Sequence, residues 1–167
     1  MGLKEIKKWQ RVYQDSNDPK LFQEWLSMMF DPRNKIHIGE NYEYSGVSDW
    51  AGLLTYRYLK IFSRDLPSLY STKFASFEDI KHFDLQNNVL DDIIYNENLE
   101  QDLRRILAYV GIVIPAEQME QFTSSKEITN SSSRKRELSF YYDDKTIELV
   151  REKEKLIVDK YNYEFPM

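Results

Sequence analysis

Residues 93–103 read Ile-Ile-Tyr-Asn-Glu-Asn-Leu-Glu-Gln-Asp-Leu, and this stretch decides which fold the sequence predicts. The β-branched and aromatic run Ile93-Ile94-Tyr95 predicts a short strand. From about Leu99 the apolar residues recur at helical spacing on one face: Leu99, Leu103, Ile106, Leu107 and Val110. Gly111 suits the position after the last helical turn, and Pro115 follows it, so the helix end is signalled twice. Residues 93–112 are therefore predicted to form a strand–helix unit.

Upstream of this unit, residues 1–62 are predicted to be helical. Apolar residues recur every third position from Leu3 and predict a first amphipathic helix. Asp18 and Pro19 form a good N-cap and N1 pair for a second helix at roughly 19–30. Residues 31–48 fit no period and are predicted to be a loop. Ser48 or Asp49 then caps a third helix with a nearly all-round apolar set: Trp50, Leu53, Leu54, Tyr56, Tyr58, Leu59 and Phe62.

On either side of the strand–helix unit lie two segments rich in turn-forming or polar residues. Residues 63–92 are predicted to be irregular, with at most a short helix around 76–82. Residues 123–136 form a polar loop that becomes basic at its end. Residues 137–167 hold a C-terminal helix capped by Asp143 and Asp144, followed by an aromatic tail. One face of that helix carries Ile147, Val150, Glu154, Ile157 and Tyr161.

The composition limits the classes of protein to consider. The chain has 167 residues, 41% of them hydrophobic, which is enough for one domain with a core, so residues 1–167 are taken as a single, partial domain. A net charge of -5 predicts no general attraction to nucleic acid or to an anionic membrane. There is no cysteine and no HExxH spacing, so no metal site is expected. No signal peptide or membrane span is predicted, and a cytoplasmic location is the default expectation.

Two segments together resemble the sulfotransferase superfamily, in particular its carbohydrate and Golgi-type branch. The first is the apolar run at 93–95 followed by Glu97, Leu99 and Asp102, a helix and Gly111-Ile112. The second is the tail, which contains Asn130-Ser131-Ser132-Ser133-Arg134-Lys135, then Tyr141-Tyr142-Asp143-Asp144, then Tyr161-Asn162-Tyr163-Glu164-Phe165. Both stand in the order and at the spacing of that family. The match covers roughly residues 93–112 and 130–166.

The resemblance implies an α/β, P-loop-like sulfotransferase fold, of which this chain is the C-terminal part, mostly helical with few short strands. It implies 3′-phosphoadenosine 5′-phosphosulfate as donor and transfer of its sulfuryl group to an acceptor hydroxyl. It assigns contacts with the 3′-phosphate to the basic loop: Ser131, Ser132, Ser133, Arg134 and Lys135. Tyr95 is the corresponding candidate for contact with adenine, although the family usually places its aromatic residue where this chain has Asn96. His37 is a candidate acceptor-activating base.

One element that such an enzyme needs is missing from the sequence. There is no Lys-x-Gly-Thr-Thr loop and no G-x-x-x-x-G-K-S/T pattern after a strand, so nothing here would hold the 5′-phosphosulfate. The run Arg64-Asp65-Leu66-Pro67 is interpreted as a loop, since it follows a helix and lies too close to Tyr95. We therefore expect a truncated or split product, whose fold is completed by an upstream segment or by a homo-oligomer.

Two alternatives remain open at this point. The basic loop has the composition of a solvated linker. The first alternative function is a non-catalytic helical protein-interaction module derived from that scaffold, with a tyrosine-rich binding surface that includes Tyr42, Tyr44 and Trp50. The remaining alternative is a helical domain whose motif matches are accidental.

Overall fold

The computed structural model describes residues 17–123 and 136–165, and this part of the chain is mostly helical. The α-helices in these ranges are α1 (Pro19–Met29), α2 (Lys35–Ile38), α3 (Leu53–Phe62), α4 (Leu66–Ser71), α5 (Phe77–Asn87), α6 (Leu99–Tyr109), α7 (Ala116–Thr123), α8 (Asp144–Lys153) and α9 (Lys155–Tyr161). Short 3₁₀ turns lie at Pro32–Asn34, Tyr42–Tyr44, Gly46–Asp49, Asn96–Asn98 and Leu138–Phe140. The prediction of a mostly helical chain is confirmed.

The strand predicted at residues 93–95 is absent. Across the described ranges the β-pairing consists of one isolated antiparallel bridge, between Ser63 and Asn88. Tyr95 instead precedes the 3₁₀ turn Asn96–Asn98. The Tyr95 N–H donates to Asp102 Oδ2 at 2.9 Å. This backbone group therefore already has a local partner and is not available to pair with a neighbouring strand. The strand–helix unit is in fact a turn–helix unit.

The chain divides into two compact units. Among the described residues, the first comprises 17–89 and 136–165, and the second comprises 90–123. Helices α1 to α5, α8 and α9 belong to the first unit, and α6 and α7 to the second. In the described residues of both, no helix is long and apolar enough to cross a membrane.

Two of the predicted helices have nearly the predicted ends. In α1, Asp18 Oδ1 accepts the Lys20 N–H at 2.8 Å and Pro19 occupies the first turn, as the sequence predicts. In α6, the helix runs from Leu99 to Tyr109, and Gly111 has a φ of 78°. That left-handed conformation is one that glycine adopts at little cost, so the predicted stop is confirmed.

The segment predicted to be irregular, residues 63–92, contains α4 and α5. The short helix expected around 76–82 is present as α5, which continues to Asn87, whereas α4 corrects the expectation of an irregular segment. Both helices begin at capping side chains that the prediction gave too little weight. Asp65 accepts the Ser68 N–H at 3.0 Å at the start of α4. Ser76 and Asp79 form a reciprocal capping box at the start of α5. Pro67, part of the run predicted to be a loop, lies in the first turn of α4, where proline is tolerated.

The predicted third and C-terminal helices are both shorter than expected, and a backbone hydrogen bond connects the two places where they differ from the prediction. The third begins at Leu53, which leaves Trp50 outside it. The predicted C-terminal helix is divided into α8 and α9 at Glu154, whose φ and ψ are -108° and 23°. The Gly52 N–H donates to the Lys153 carbonyl at 2.7 Å. The break between α8 and α9 therefore lies against the start of α3.

The core of the first unit combines aromatic and aliphatic side chains from distant parts of the sequence. Phe22, Leu26 and Tyr141 are buried together, with Trp25, Phe30, Tyr142 and Val150 packed around them. Tyr56, Leu59, Leu69 and Ile80 are buried in α3, α4 and α5. This packing places α1 and α8 side by side and leaves a groove between them.

Candidate functional site

The residues predicted to bind the 3′-phosphate, Ser131, Ser132, Ser133, Arg134 and Lys135, lie outside the described residues. Their predicted role therefore stays a prediction. The nearest described basic residue is Arg136, whose guanidinium lies 5.6 Å from the centre of the Phe140 ring.

Tyr95 lies at the start of a small polar cluster in the second unit. It is half-buried, and its N–H is bonded to Asp102. Arg105 reaches both Asp92 and Asp102, and it also donates to the Ile93 carbonyl at 3.3 Å. The hydrogen bonds from Arg105 hold the pKa of the Asp92 carboxyl below its ordinary value. These contacts fix the turn that connects Tyr95 with α6.

His37 lies in α2, where it lines an apolar groove of about 630 Å³ in the first unit. Helices α1, α2, α3 and α8 form the walls of this groove, which we call the α1–α8 groove. Its lining residues are Phe22, Trp25, Leu26, Met29, Phe30, His37, Ile38, Leu53, Leu54, Arg57, Tyr142, Val150 and Glu154. A groove of this volume, mainly apolar with a few polar groups, has the dimensions of a small-molecule site.

Glu154 is the buried polar group of the α1–α8 groove, with an exposed fraction of 3%. Its Oε1 accepts the Leu54 N–H at 3.1 Å, and its Oε2 accepts both the N–H and the hydroxyl of Thr55 at 2.8 Å. These are first-turn donors of α3, whose N-cap, Gly52, has no side chain to satisfy them. Burial raises the pKa of the Glu154 carboxyl above its ordinary value, and the hydrogen bonds from Thr55 and Leu54 oppose that rise.

Arg57, the basic group of the groove, is already paired. Its guanidinium donates to Glu40, with Arg57 Nε at 3.0 Å from Oε1 and at 3.2 Å from Oε2, and Nη2 also bonds Oε1. This pairing raises the pKa of Arg57 and lowers that of Glu40. The charge of Arg57 is therefore compensated outside the groove.

Aromatic rings make up one wall of the α1–α8 groove. The ring centres of Phe22 and Trp25 are 5.9 Å apart, and those of Phe22 and Tyr142 are 5.0 Å apart in an edge-on arrangement. Such contacts stabilise the packing beyond simple burial. The helical spacing of α1 places Phe22 and Trp25 on one apolar face, but no local pattern predicts that Tyr142, more than a hundred residues away, joins them.

A second polar cluster connects three helices of the first unit. Lys160 Nζ lies 2.5 Å from Asp84 Oδ2 and 2.8 Å from the Tyr58 hydroxyl. The Tyr161 hydroxyl donates to that of Tyr58 at 3.0 Å, and Asn88 Nδ2 bonds Asp84 Oδ1 at 2.8 Å. Burial raises the pKa of both tyrosines. No motif in the sequence pointed to this cluster.

The proposed tyrosine-rich surface is present only in part. Tyr42 is buried, and its hydroxyl donates to the Ala51 carbonyl at 2.6 Å, so its inclusion in that surface was wrong. Tyr44 is 75% exposed, as expected. Trp50 is 39% exposed, but its indole N–H is anchored to the Phe74 carbonyl at 2.9 Å.

Glu154 is the functional candidate that the sequence analysis missed, although a signal was present. It is a carboxylate on a helix face that is otherwise apolar, and such a residue must find donors when the face is buried. Among the described residues there is no group of three or more side chains suited to hold a metal ion.

Comparison with family models, with curated proteins and with solved structures finds no match to this chain.

Proposed function

We propose that this chain carries the C-terminal part of a sulfotransferase-like domain, which transfers a sulfuryl group from 3′-phosphoadenosine 5′-phosphosulfate to an acceptor hydroxyl. One observation carries the proposal: the segments at 93–112 and 130–166 each resemble a motif of that family, and they follow one another along the chain in the order that the resemblance requires. Either motif alone would be a weak basis, and the pair is a stronger one.

The local geometry of the first motif is compatible with this function. Tyr95 precedes the 3₁₀ turn that contains Glu97, and Asp102, in the first turn of α6, accepts the Tyr95 N–H. Tyr95 is half-buried, so part of the residue remains accessible to a ligand. In the second motif, hydroxyl, guanidinium and ammonium groups at 131–135 are the donors that a phosphate requires.

Sulfuryl transfer depends mainly on positioning and on neutralising the charge of the moving group. In this proposal the donor supplies the reactive sulfuryl group when it is bound. Arg134 and Lys135 would hold its 3′-phosphate, and Tyr95 would contact its adenine. Because the sequence has no loop for the 5′-phosphosulfate, we propose that activity requires further polypeptide that supplies one.

The test is a calorimetric titration with adenosine 3′,5′-bisphosphate, on this chain alone and with a segment carrying a phosphosulfate loop also supplied. We expect binding that is weakened at least about tenfold when Arg134 and Lys135 are both changed to Ala, because two charge-assisted phosphate contacts are lost. Lys126→Ala, which removes one charge from the same polar loop, is the matched control and should bind normally. Absence of heat and of any thermal shift, even with the loop segment supplied, would rule the proposal out.

The exposed Tyr44 side chain favours a second candidate, a non-catalytic protein-interaction module. Large exposed aromatic residues are frequent anchors of interfaces. If this candidate is correct, Tyr44→Ala should abolish capture of a specific partner. Tyr163→Ala, which removes another exposed tyrosine in the first unit, should not affect it. Unchanged capture by the Tyr44 variant would count against this function.

A further inference from the structure

The α1–α8 groove contains a buried carboxylate without a cationic partner in the described part of the chain. The donors to Glu154 are the two backbone N–H groups and one hydroxyl at the start of α3. None of the ion pairs in the described ranges involves Glu154. Arg57, the one Lys or Arg among the residues that line the groove, is held by Glu40. A positive charge placed in the groove would therefore meet an uncompensated acceptor.

The two oxygens of Glu154 differ in how fully they are used. Oε2 accepts two hydrogen bonds, from the N–H and the hydroxyl of Thr55. Oε1 accepts one, from the Leu54 N–H. Since a carboxylate oxygen has two lone-pair directions, Oε1 can accept one more donor. An ammonium group is well suited to this position, because it brings both a donor and the opposite charge.

The remaining lining of the groove is suited to an apolar group attached to that ammonium. Its volume of about 630 Å³ accommodates a small organic molecule. Phe22, Trp25 and Tyr142 contribute aromatic surface. Aromatic faces attract cations as well as apolar groups, so this wall favours an amine over an acid.

We propose that the α1–α8 groove binds a primary amine carried on an apolar body, with the ammonium group at Glu154 Oε1 and the body against the aromatic wall. The chemistry of the groove excludes carboxylate ligands, because a second negative charge beside Glu154 would be repelled. Tyr142, Val150 and Glu154 lie within the second family-like segment, 130–166, and also line the groove. None of the residues assigned to the nucleotide, Tyr95 and 131–135, lines it, so the two proposals are tested separately.

The first test compares three ligands of matched size on the full chain by calorimetry at neutral pH: 2-phenylethylamine, 2-phenylethanol and 3-phenylpropanoate. We expect the amine to bind at least about tenfold more tightly than the alcohol, because it adds a charge-assisted hydrogen bond. The carboxylate should show no binding. Equal affinity for amine and alcohol, or preference for the carboxylate, would overturn the proposal.

The second test supplies the missing cation within the chain. Leu54 lines the groove, donates its N–H to Glu154 and is 55% exposed, so a longer polar side chain fits there without disturbing the core. Leu54→Lys should occupy Oε1 with its own ammonium group and weaken binding of 2-phenylethylamine at least about tenfold. Leu54→Gln, a neutral control of similar size, should retain the preference for the amine. If both variants bind the amine alike, the site assigned to the ammonium is wrong.

Discussion

Glu154 joins two roles in a single side chain, because it lines an apolar groove and also satisfies the N-terminus of α3. The first role penalises its charged form, and the second favours it. The net effect is a raised pKa, with burial as the largest cause. The contribution of Glu154 to the free energy of unfolding therefore depends on pH.

Substitution Glu154→Gln should destabilise the fold by about 1–3 kcal/mol, because the amide cannot accept from all three α3 donors. The pKa of Glu154 is raised in the folded state, so its contribution is fully present below the ordinary carboxyl pKa and declines as pH rises through the raised value. The stability difference between wild type and variant should therefore shrink from acid towards neutral pH. Urea unfolding at several pH values measures this difference. Glu148→Gln, an exposed change in α8, is the control for removal of one carboxylate from the chain.

The Glu154 carboxylate lies so close to the backbone of Gly52 that a side chain at position 52 would clash with it. A Cβ at this position would overlap Glu154 Oε1 and lie 2.6 Å from Phe30 Cε1. Gly52→Ala should therefore destabilise the fold by about 1–3 kcal/mol through overpacking, and it should also displace Glu154 from the start of α3. Gly39→Ala is the contrasting control, since it meets no atom within 4 Å but has a φ of 84°. That variant should lose about 1 kcal/mol from backbone strain alone, without altering the pH dependence of stability. Identical pH profiles for both variants would contradict this explanation.

At the scale of elements, α9 is attached to α5 and α3 by the cluster around Asp84. Asp84 is 4% exposed, and its partner Lys160 extends from the last turn of α9. The Tyr58 hydroxyl of α3 accepts from Lys160 and from Tyr161. A short helix of seven residues has little intrinsic stability, so these contacts hold it in place.

Lys160→Met should destabilise the fold by about 3 kcal/mol, because it leaves the buried Asp84 carboxylate without its cation. Asp84→Asn combined with Lys160→Met should cost less than the sum of the two single changes, since no buried charge remains. Denaturant unfolding of the wild type and the three variants, arranged as a double-mutant cycle, measures the coupling. Lys155→Met, which removes a cation from the opposite end of α9, is the matched control. A coupling energy near zero would show that the pair does not hold α9.

The elements that could be predicted from the sequence are those with a local signal. The Asp18-Pro19 start of α1 and the Gly111 stop of α6 each depend on neighbouring residues, and both predictions were correct within about a turn. Two features depend instead on hydrogen bonds that the local sequence does not reveal. They are the break between α8 and α9 at Glu154 and the absence of a strand at residues 93–95. The first arises from a contact with α3, about a hundred residues away. The second arises because Asp102 takes the Tyr95 N–H that a neighbouring strand would have used.

In the candidate site, too, residues placed by local sequence patterns could be predicted, whereas contacts between distant segments could not. The sequence placed Phe22, Trp25 and His37 on helical or loop segments, and the structure brings all three to the α1–α8 groove. The wall contributed by Tyr142 and Val150 comes from the far end of the chain, and no periodicity connects distant segments. Glu154 was visible in the sequence only as a charge on an apolar face. Such a residue indicates a buried partner without identifying it.

At the scale of the whole molecule, the two compact units differ in how much of their apolar surface is buried. Helix α3 of the first unit buries Tyr56 and Leu59 almost completely. Helix α6 of the second unit has an equally clear apolar face, but none of its residues is fully buried. Stability in a domain comes mainly from buried apolar area, so the first unit should carry most of the unfolding free energy.

Two matched leucine substitutions test this distribution. Leu59→Ala removes a side chain with an exposed fraction of 1% and should cost about 2–5 kcal/mol. Leu103→Ala removes a half-buried side chain from α6 and should cost about 1 kcal/mol or less, because less apolar area is returned to water.

Native-state hydrogen exchange supplies an independent measurement in the unsubstituted protein. Backbone amides of α6 should exchange faster than those of α3, since helices without buried side chains open at lower free energy. Suppose that both substitutions lower the free energy of unfolding equally and that the amides of α3 and α6 exchange at equal rates. The first unit would then not carry most of the unfolding free energy, and this prediction would be wrong.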